Sequence, residues 1–343
     1  MDMAFDEDEV IQLQHNFFDS KPFKLKILKI KLTNACNSKC QFCGYWKSKN
    51  PKFLQKKTIF HVLNEAKKMG VEKITLSGGE PLLHPDIEAI IKKAFSKQFK
   101  VTLITNGLLF DKKGKKLLKH SKNNKLTIVF SLDGSNKASH DRARGVQGSF
   151  NKIISVIDFI NKSKYRQYIK ISISSTLSEK NFNELPKIIE LKKEHNFDSL
   201  SFYPARGMVG NNQAKITNNW ESDIIKNAPN LMDLAKEVGL KTENIQRGID
   251  TLSCNKESSY CFLPFFEAEL DYDGNLFACC HALENRSTTN TSFGNVNKTK
   301  LSQVWKGKKS SEFRKKCLNV NFPFCNNCIY NYLNNKIAKL IKD

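Results

Sequence analysis

The chain has 343 residues, 40% of them hydrophobic, a formal net charge of +22 and ten cysteines; that length holds one large domain with a smaller one beside it. No run approaches eighteen apolar residues, which excludes a membrane-spanning helix, and the acidic start has no apolar segment of the secretory kind, which points to the cytoplasm. Ten cysteines in such a chain indicate metal or redox chemistry rather than a disulfide framework.

Residues 1 to about 22 read as an acidic, partly ordered lead-in. Apolar alternation then predicts a strand over Lys24–Leu32. The loop leaving its C-terminal end carries Cys36-Asn37-Ser38-Lys39-Cys40-Gln41-Phe42-Cys43. A helix is expected over Lys57–Met69, and a strand over Lys73–Leu76 that ends in Ser77-Gly78-Gly79-Glu80-Pro81. A helix over Asp86–Ser96 precedes a strand over Val101–Ile104, which ends in Thr105-Asn106-Gly107. A helix over Asp111–His120 precedes a strand over Leu126–Phe130, which ends in Ser131-Leu132-Asp133-Gly134. Helices over Phe150–Asn161 and Asn183–Glu194 flank a strand over Ile169–Ser174, and a sixth strand covers Leu200–Tyr203. Six strand–helix units predict an α/β fold, a partial, six-unit open barrel with helices outside. The turn-forming and polar residues gather at the C-terminal strand ends, where parallel α/β folds place their active sites.

Past about Asn211 the composition turns polar and Asn-rich. A helix is expected over Leu231–Val238, followed by a second cysteine field: Cys254, Cys261, Cys279, Cys280, Cys317, Cys325 and Cys328. A hairpin is expected to turn at Asp273-Gly274, and a basic helix over Asn334–Lys342 to close the chain. The expected organisation is a lead-in over 1–22, a barrel over 23–210, and a linker with a small cysteine-rich α+β domain over 211–343.

Three thiolates on one short loop, Cys36, Cys40 and Cys43, can hold three irons of a cubane cluster and leave the fourth iron open to a ligand. Gly78 and Gly79 allow close backbone approach, Glu80 can accept from an ammonium, and Pro81 stiffens the turn. Asp133 and His140 also fit local turn formation and helix capping. Two cysteines from the hairpin region, Cys261 and Cys279, and two from the terminal pair, Cys325 and Cys328, can close a four-ligand site for zinc or a second cluster. Cys254 could substitute for one of them. Cys280 and Cys317 read as spare, small buried hydrophobes. The positive charge favours anionic partners, but lysines spread along the chain fit a solvated basic surface better.

Cys-x3-Cys-x-Phe-Cys, Gly-Gly-Glu-Pro, and Ser131-Leu132-Asp133-Gly134 followed by His140-Asp141, Arg144-Gly145 and Gly148-Ser149-Phe150 together resemble the signatures of the radical SAM enzymes. The subgroup is the one with SPASM or Twitch auxiliary domains. The resemblance implies that the open iron chelates S-adenosylmethionine (SAM), which one electron cleaves to a 5′-deoxyadenosyl radical that takes hydrogen from a substrate. It implies SAM contacts from Gly78, Gly79, Glu80, Pro81, Asn106, Ser131, Arg144 and Ser174, with Tyr203 to Gly207 along the adenine. It implies one auxiliary [4Fe–4S] cluster on Cys261, Cys279, Cys325 and Cys328. Cys280 stands where sulfatase-maturing relatives carry an aspartate base, which argues against that activity, and no catalytic residue is assigned beyond the cluster. The implied partners are a flavodoxin or ferredoxin type electron donor and a peptide or anionic small-molecule substrate. The expected reaction is peptide modification. The alternatives are dehydrogenation of a small polar or phosphorylated metabolite and, from another class, a zinc-stabilised basic RNA-binding protein.

Overall fold

The computed structural model describes residues 7–122, 124–205, 220–253, 260–285, 291–320, 322, 325 and 328–342. Its centre is a nine-stranded sheet: β1 (Ile27–Thr33), β2 (Lys73–Gly78), β3 (Lys100–Thr105), β4 (Leu126–Ser131), β5 (Ile169–Leu177), β6 (Ser199–Pro204), β7 (Glu267–Leu270), β8 (Asn275–Phe277) and β9 (Gly294–Asn295). The spatial order is β6-β5-β4-β3-β2-β1-β7-β8-β9. The first six strands are all parallel. β7 adds to β1 in the same direction, and β8 and β9 turn back antiparallel. The hairpin of the second cysteine field therefore continues the sheet of the six-unit barrel.

Period-two alternation builds the core. Leu28, Ile30 and Leu32 of β1 and Ile74 and Leu76 of β2 are fully buried, in one cluster with the apolar stripes of the helices. Those helices are α1 (Glu7–Phe18), α2 (Lys56–Lys68), α3 (Ile87–Ser96), α4 (Lys115–Leu118), α6 (Ser149–Lys162) and α7 (Leu185–Glu194), while α5 (Lys137–Arg144) packs Ala143 against Cys40 and Phe42 in a separate small cluster. Beyond β6 come α8 (Trp220–Lys226), α9 (Ala228–Glu237), α10 (Thr242–Ser253), α11 (Leu263–Phe266), α12 (Cys280–Glu284), α13 (Leu301–Lys306), α14 (Lys308–Lys316) and α15 (Asn331–Lys342). Among the described residues no helix is long and apolar enough to cross a membrane.

Two segments differ from expectation. The acidic lead-in contains α1, because Leu13 and Phe17, four apart on one helical face, bury completely. Phe17 packs on Phe262 and Phe265, and Glu9 pairs with Lys26 at 2.6 Å. The expected helix over Asp111–His120 is a π-turn over Phe110–Gly114 followed by the short α4. The expected domain boundary near residue 210 lies outside the described residues.

Asp141 shows how a motif residue serves the fold. Its carboxylate accepts from Gly148 N, Ser149 Oγ and Phe150 N at 2.5, 2.8 and 2.9 Å. It thereby caps α6, whose own N-cap residue, Gly148, has no side chain to do so. Burial works to raise its pKa, but these hydrogen bonds outweigh it and hold the carboxyl below its ordinary value. Asp141→Ala is expected to cost about 1–2 kcal/mol in denaturant unfolding, the loss of a cap. A carboxyl with a depressed folded pKa stabilises above its unfolded pKa and loses that contribution as pH falls through the folded value. The gap between wild type and Asp141→Asn is therefore full at neutral pH and closes below about pH 4.

Candidate metal centre

The cysteine loop leaves β1 at its C-terminal end and is held by two neighbouring strand ends and the end of helix α5. From β2, Gly79 N donates to Thr33 O and Glu80 N to Ala35 O, both at 2.8 Å. A Cβ on Gly79 would lie 2.0 Å from Ala35 O, and one on Gly78, at φ +130°, 2.4 Å from Thr33 O. The glycine pair is required because two backbones meet there. From β3, Asn106 Nδ2 donates to Asn37 Oδ1 at 2.8 Å and Ser38 Oγ at 2.9 Å, and lies 4.0 Å from Cys36 Sγ. From α5, the carbonyls of Arg144 and Ala143 accept from Lys39 N and Gln41 N.

Glu80 is fully buried and accepts three hydrogen bonds: from Leu82 N at 2.9 Å, Thr105 Oγ1 at 2.8 Å and Asn106 N at 2.8 Å. Burial pushes its pKa up against these bonds. Its carboxylate is the tie between the β2 and β3 ends, with Pro81 opening the short 3₁₀ turn beside it. Arg144 is also buried. Nη1 donates to Cys40 Sγ at 3.2 Å, Nη2 to Ser131 O at 3.2 Å, and Nε faces Asp133 Oδ2 at 3.3 Å. The Asp133 and Cys40 charges outweigh burial and raise the Arg144 pKa, so the cation is permanent. Asp133 Oδ1 accepts from Thr176 N at 2.7 Å, and His140 Nδ1 accepts from Asp133 N at 3.1 Å. Burial drives the His140 pKa down to about 3, so this histidine is a neutral part of the turn. Ser131 and Ser174 lie side by side in register on β4 and β5, both half-buried.

The trio fits an iron–sulfur cluster on the chemistry of its surroundings. Arg144 Nη1 donates to Cys40 Sγ at 3.2 Å, Asn106 Nδ2 lies 4.0 Å from Cys36 Sγ, and the Ser38 and Tyr45 backbones work against burial to lower the Cys36 and Cys43 thiols. Hydrogen bonds to sulfur and a nearby cation are what a buried thiolate needs. Burial otherwise pushes Cys36 up to about 11. Among the described residues no three His, Cys, Asp or Glu side chains are drawn round a single ion. A cluster, whose ligands sit on separate irons, does not require that.

In the second field, Cys279 lies within electrostatic reach of Cys261, Cys328 and Cys280. Cys279 Sγ accepts from Ala282 N at 3.5 Å and Cys328 Sγ from Tyr330 N at 3.4 Å. Cys325 sits one turn before Cys328, whose N–H bonds its carbonyl at 3.2 Å. The structure also brings in Cys317, which the sequence left spare. Its thiol donates to Phe313 O at 3.3 Å, Cys261 N donates to Cys317 O at 3.0 Å, and the nearby Cys317 thiol, with burial, raises the Cys261 pKa. Spacing could not show this, because three strands and four helices lie between the two cysteines and their packing sets the approach. Cys254, Arg206 and Gly207 lie outside the described residues.

A parallel α/β sheet with a three-cysteine loop at its catalytic rim, joined to a second cysteine cluster, defines a class of iron–sulfur enzymes. Residues 30–191 match the family model described as the Radical SAM superfamily, and residues 261–329 that of an iron–sulfur cluster-binding (SPASM) domain. The chain belongs to the radical SAM superfamily, in the group with an auxiliary cluster domain. A radical SAM domain implies a [4Fe–4S] cluster with SAM, and a SPASM domain auxiliary iron–sulfur.

The chain is 31% identical over 171 residues to an AdoMet-dependent heme synthase of Methanosarcina barkeri, covering 49% of this chain and 47% of that protein. It is 30% identical over 162 residues to the sporulation killing factor maturation protein SkfB of Bacillus subtilis, covering 47% of this chain and 38% of SkfB. It thus spans about half the length, or less, of these curated relatives. The structure of SuiB from Streptococcus suis, bound to its precursor peptide SuiA, superposes with a TM-score of 0.66 at 16% identity. That match covers 88% of this chain and 69% of SuiB, and shows the shared fold.

Proposed function

We propose that this chain binds SAM at an iron–sulfur cluster on Cys36, Cys40 and Cys43, cleaves it reductively, and modifies a peptide substrate by crosslinking, epimerisation or oxidation. The observation that carries the reading is the trio of cysteines on a loop fastened by the Gly78-Gly79-Glu80-Pro81 turn, with Arg144 donating to Cys40 Sγ. Once bound on Cys36, Cys40 and Cys43, the cluster would supply one-electron reduction of the SAM sulfonium. The chain's own residues hold the loop, shape the rim and orient SAM. Ser131, Ser174 and Asn106 offer polar contacts there. Arg144 acts through Cys40, and Glu80 by fixing the rim. Cys261, Cys279, Cys325 and Cys328, with Cys317 against Cys261, form the auxiliary site. A flavodoxin or ferredoxin type protein supplies the electron. The peptide substrate is supported by the names of two of the similar proteins, a maturation protein and one bound to a precursor peptide.

Anaerobic purification and incubation with SAM and a chemical reductant test the reading. The expected result is a brown protein that yields 5′-deoxyadenosine and methionine in equal amounts. A colourless, zinc-containing protein that binds RNA with steep salt dependence would favour the non-catalytic alternative.

A further inference from the structure

Cys40 differs from its two neighbours. It is 6% exposed, whereas Cys36 and Cys43 are half-buried. Water can reach the outer two residues, and the fold itself must supply what Cys40 receives. The supply comes from the last turn of α5. Its backbone grips both flanks of the cysteine: Arg144 O accepts from Lys39 N at 3.0 Å and Ala143 O from Gln41 N at 3.1 Å. Gly145, left-handed at φ +63°, lets that turn come in, since a Cβ there would stand 2.5 Å from Lys39 O. Cys40 O in turn accepts from Trp46 Nε1 at 3.2 Å and Cys43 N at 3.3 Å.

Arg144 completes this clamp with a charge. The residue is 7% exposed, and its guanidinium is a three-point fork: Nη1 on Cys40 Sγ, Nη2 on Ser131 O and Nε against Asp133 Oδ2. Asp133 is fully buried and is itself pinned, its carboxylate by Thr176 N and its carbonyl by Asn181 Nδ2. The cation is thus fixed on the sulfur, and a guanidinium stays charged in proteins. Two further cations on α5, Lys137 and Arg142, are exposed, so water and salt screen them.

We propose that Arg144 is a positioning residue that sets the reduction potential of a cluster held on Cys36, Cys40 and Cys43, acting through Cys40 Sγ, with Asp133 as the counterweight that limits it. The family resemblance assigns this arginine to SAM, whereas the geometry puts it on a ligand sulfur. Reduction adds one negative charge to a cluster, so a fixed cation beside one of its sulfurs favours the reduced state and raises the potential. Asp133 works in the opposite sense from the Nε edge of the guanidinium. The proposal rests on the radical SAM reading and adds how the chain tunes the electron step at that same site.

The test is an anaerobic redox titration of the full chain, reconstituted with iron and sulfide. Electron paramagnetic resonance follows the reduced signal that SAM shifts. Arg144→Gln is expected to lower its midpoint by at least about 59 mV, a tenfold change in a one-electron equilibrium. Asp133→Asn, which uncovers the cation, is expected to raise it. Arg144→Lys keeps the charge and should recover most of the fall. Arg142→Gln removes an exposed charge from the same helix and should leave the midpoint at the wild-type value. Loss of structure cannot produce opposite signs at Arg144 and Asp133, and if Arg144→Gln takes up no iron the sign of Asp133→Asn decides. An unmoved midpoint in Arg144→Gln, with SAM affinity lost in equilibrium dialysis, would make the arginine a SAM ligand and overturn the proposal. So would a fall in both variants. Wild-type protein with a full complement of iron and no SAM-responsive signal sinks the functional reading and this proposal with it. A normal signal with equal midpoints in all the variants sinks the proposal alone.

Discussion

Replacing Cys36, Cys40 and Cys43 together with alanine is expected to reduce SAM cleavage to the level of a protein-free control and to remove about four irons per chain. The fold should survive, because Cys36 and Cys43 are half-buried and the loop is fastened through Ala35, Asn37, Ser38 and the Lys39 backbone. Iron and sulfide analysis with chromatography of 5′-deoxyadenosine reads the outcome. Retained iron at the second field, set against no cleavage, is the expected pair of results. Full iron content in the triple variant would refute the ligand assignment.

Gly79→Ala should do much the same damage without touching a cysteine. The new Cβ would stand 2.0 Å from Ala35 O and 2.6 Å from Ala35 C. Both are backbone atoms, so neither can rotate away, and the segment that carries Cys36 must move. A forced backbone shift of this kind costs about 3 kcal/mol, at the upper end of overpacking. Gly148→Ala is the control. Nothing lies within 4 Å of its Cβ, so only the left-handed backbone at φ +80° is strained, a cost of about 1–2 kcal/mol. Denaturant unfolding should rank the two variants in that order. Iron at the trio should fall by more than half in Gly79→Ala and stay near wild type in Gly148→Ala.

The strands were legible because alternation along Lys24–Leu32 and its successors is what a one-sided apolar core imposes on a sheet. The cysteine loop and the Gly78-Gly79-Glu80-Pro81 turn were legible as motifs, but what they touch was not. Glu80 reads in sequence as a group waiting for an ammonium, whereas its oxygens meet Leu82, Thr105 and Asn106. The partner atoms come from the next strand end, and no local pattern encodes that contact. The charged seam between β1 and β7 was harder still. Lys29 pairs with Glu267, 238 residues away, and only the shared alternation of Lys29-Ile30-Lys31 and Glu267-Ala268-Glu269 hints that two charged strand faces could meet. Helix α1 was hidden by its acidic residues, although Leu13 and Phe17 already carried the four-residue spacing of a buried face.

The central claim is that the chain leaves one iron of the Cys36–Cys40–Cys43 cluster open for SAM. Electron paramagnetic resonance of the reduced, anaerobically reconstituted protein, with and without SAM, tests it most directly. SAM is expected to shift the g-values of one reduced cluster; the shift should persist in a Cys325→Ala/Cys328→Ala variant and vanish in the variant lacking the trio. A spectrum indifferent to SAM, in protein with a full complement of iron, would contradict it.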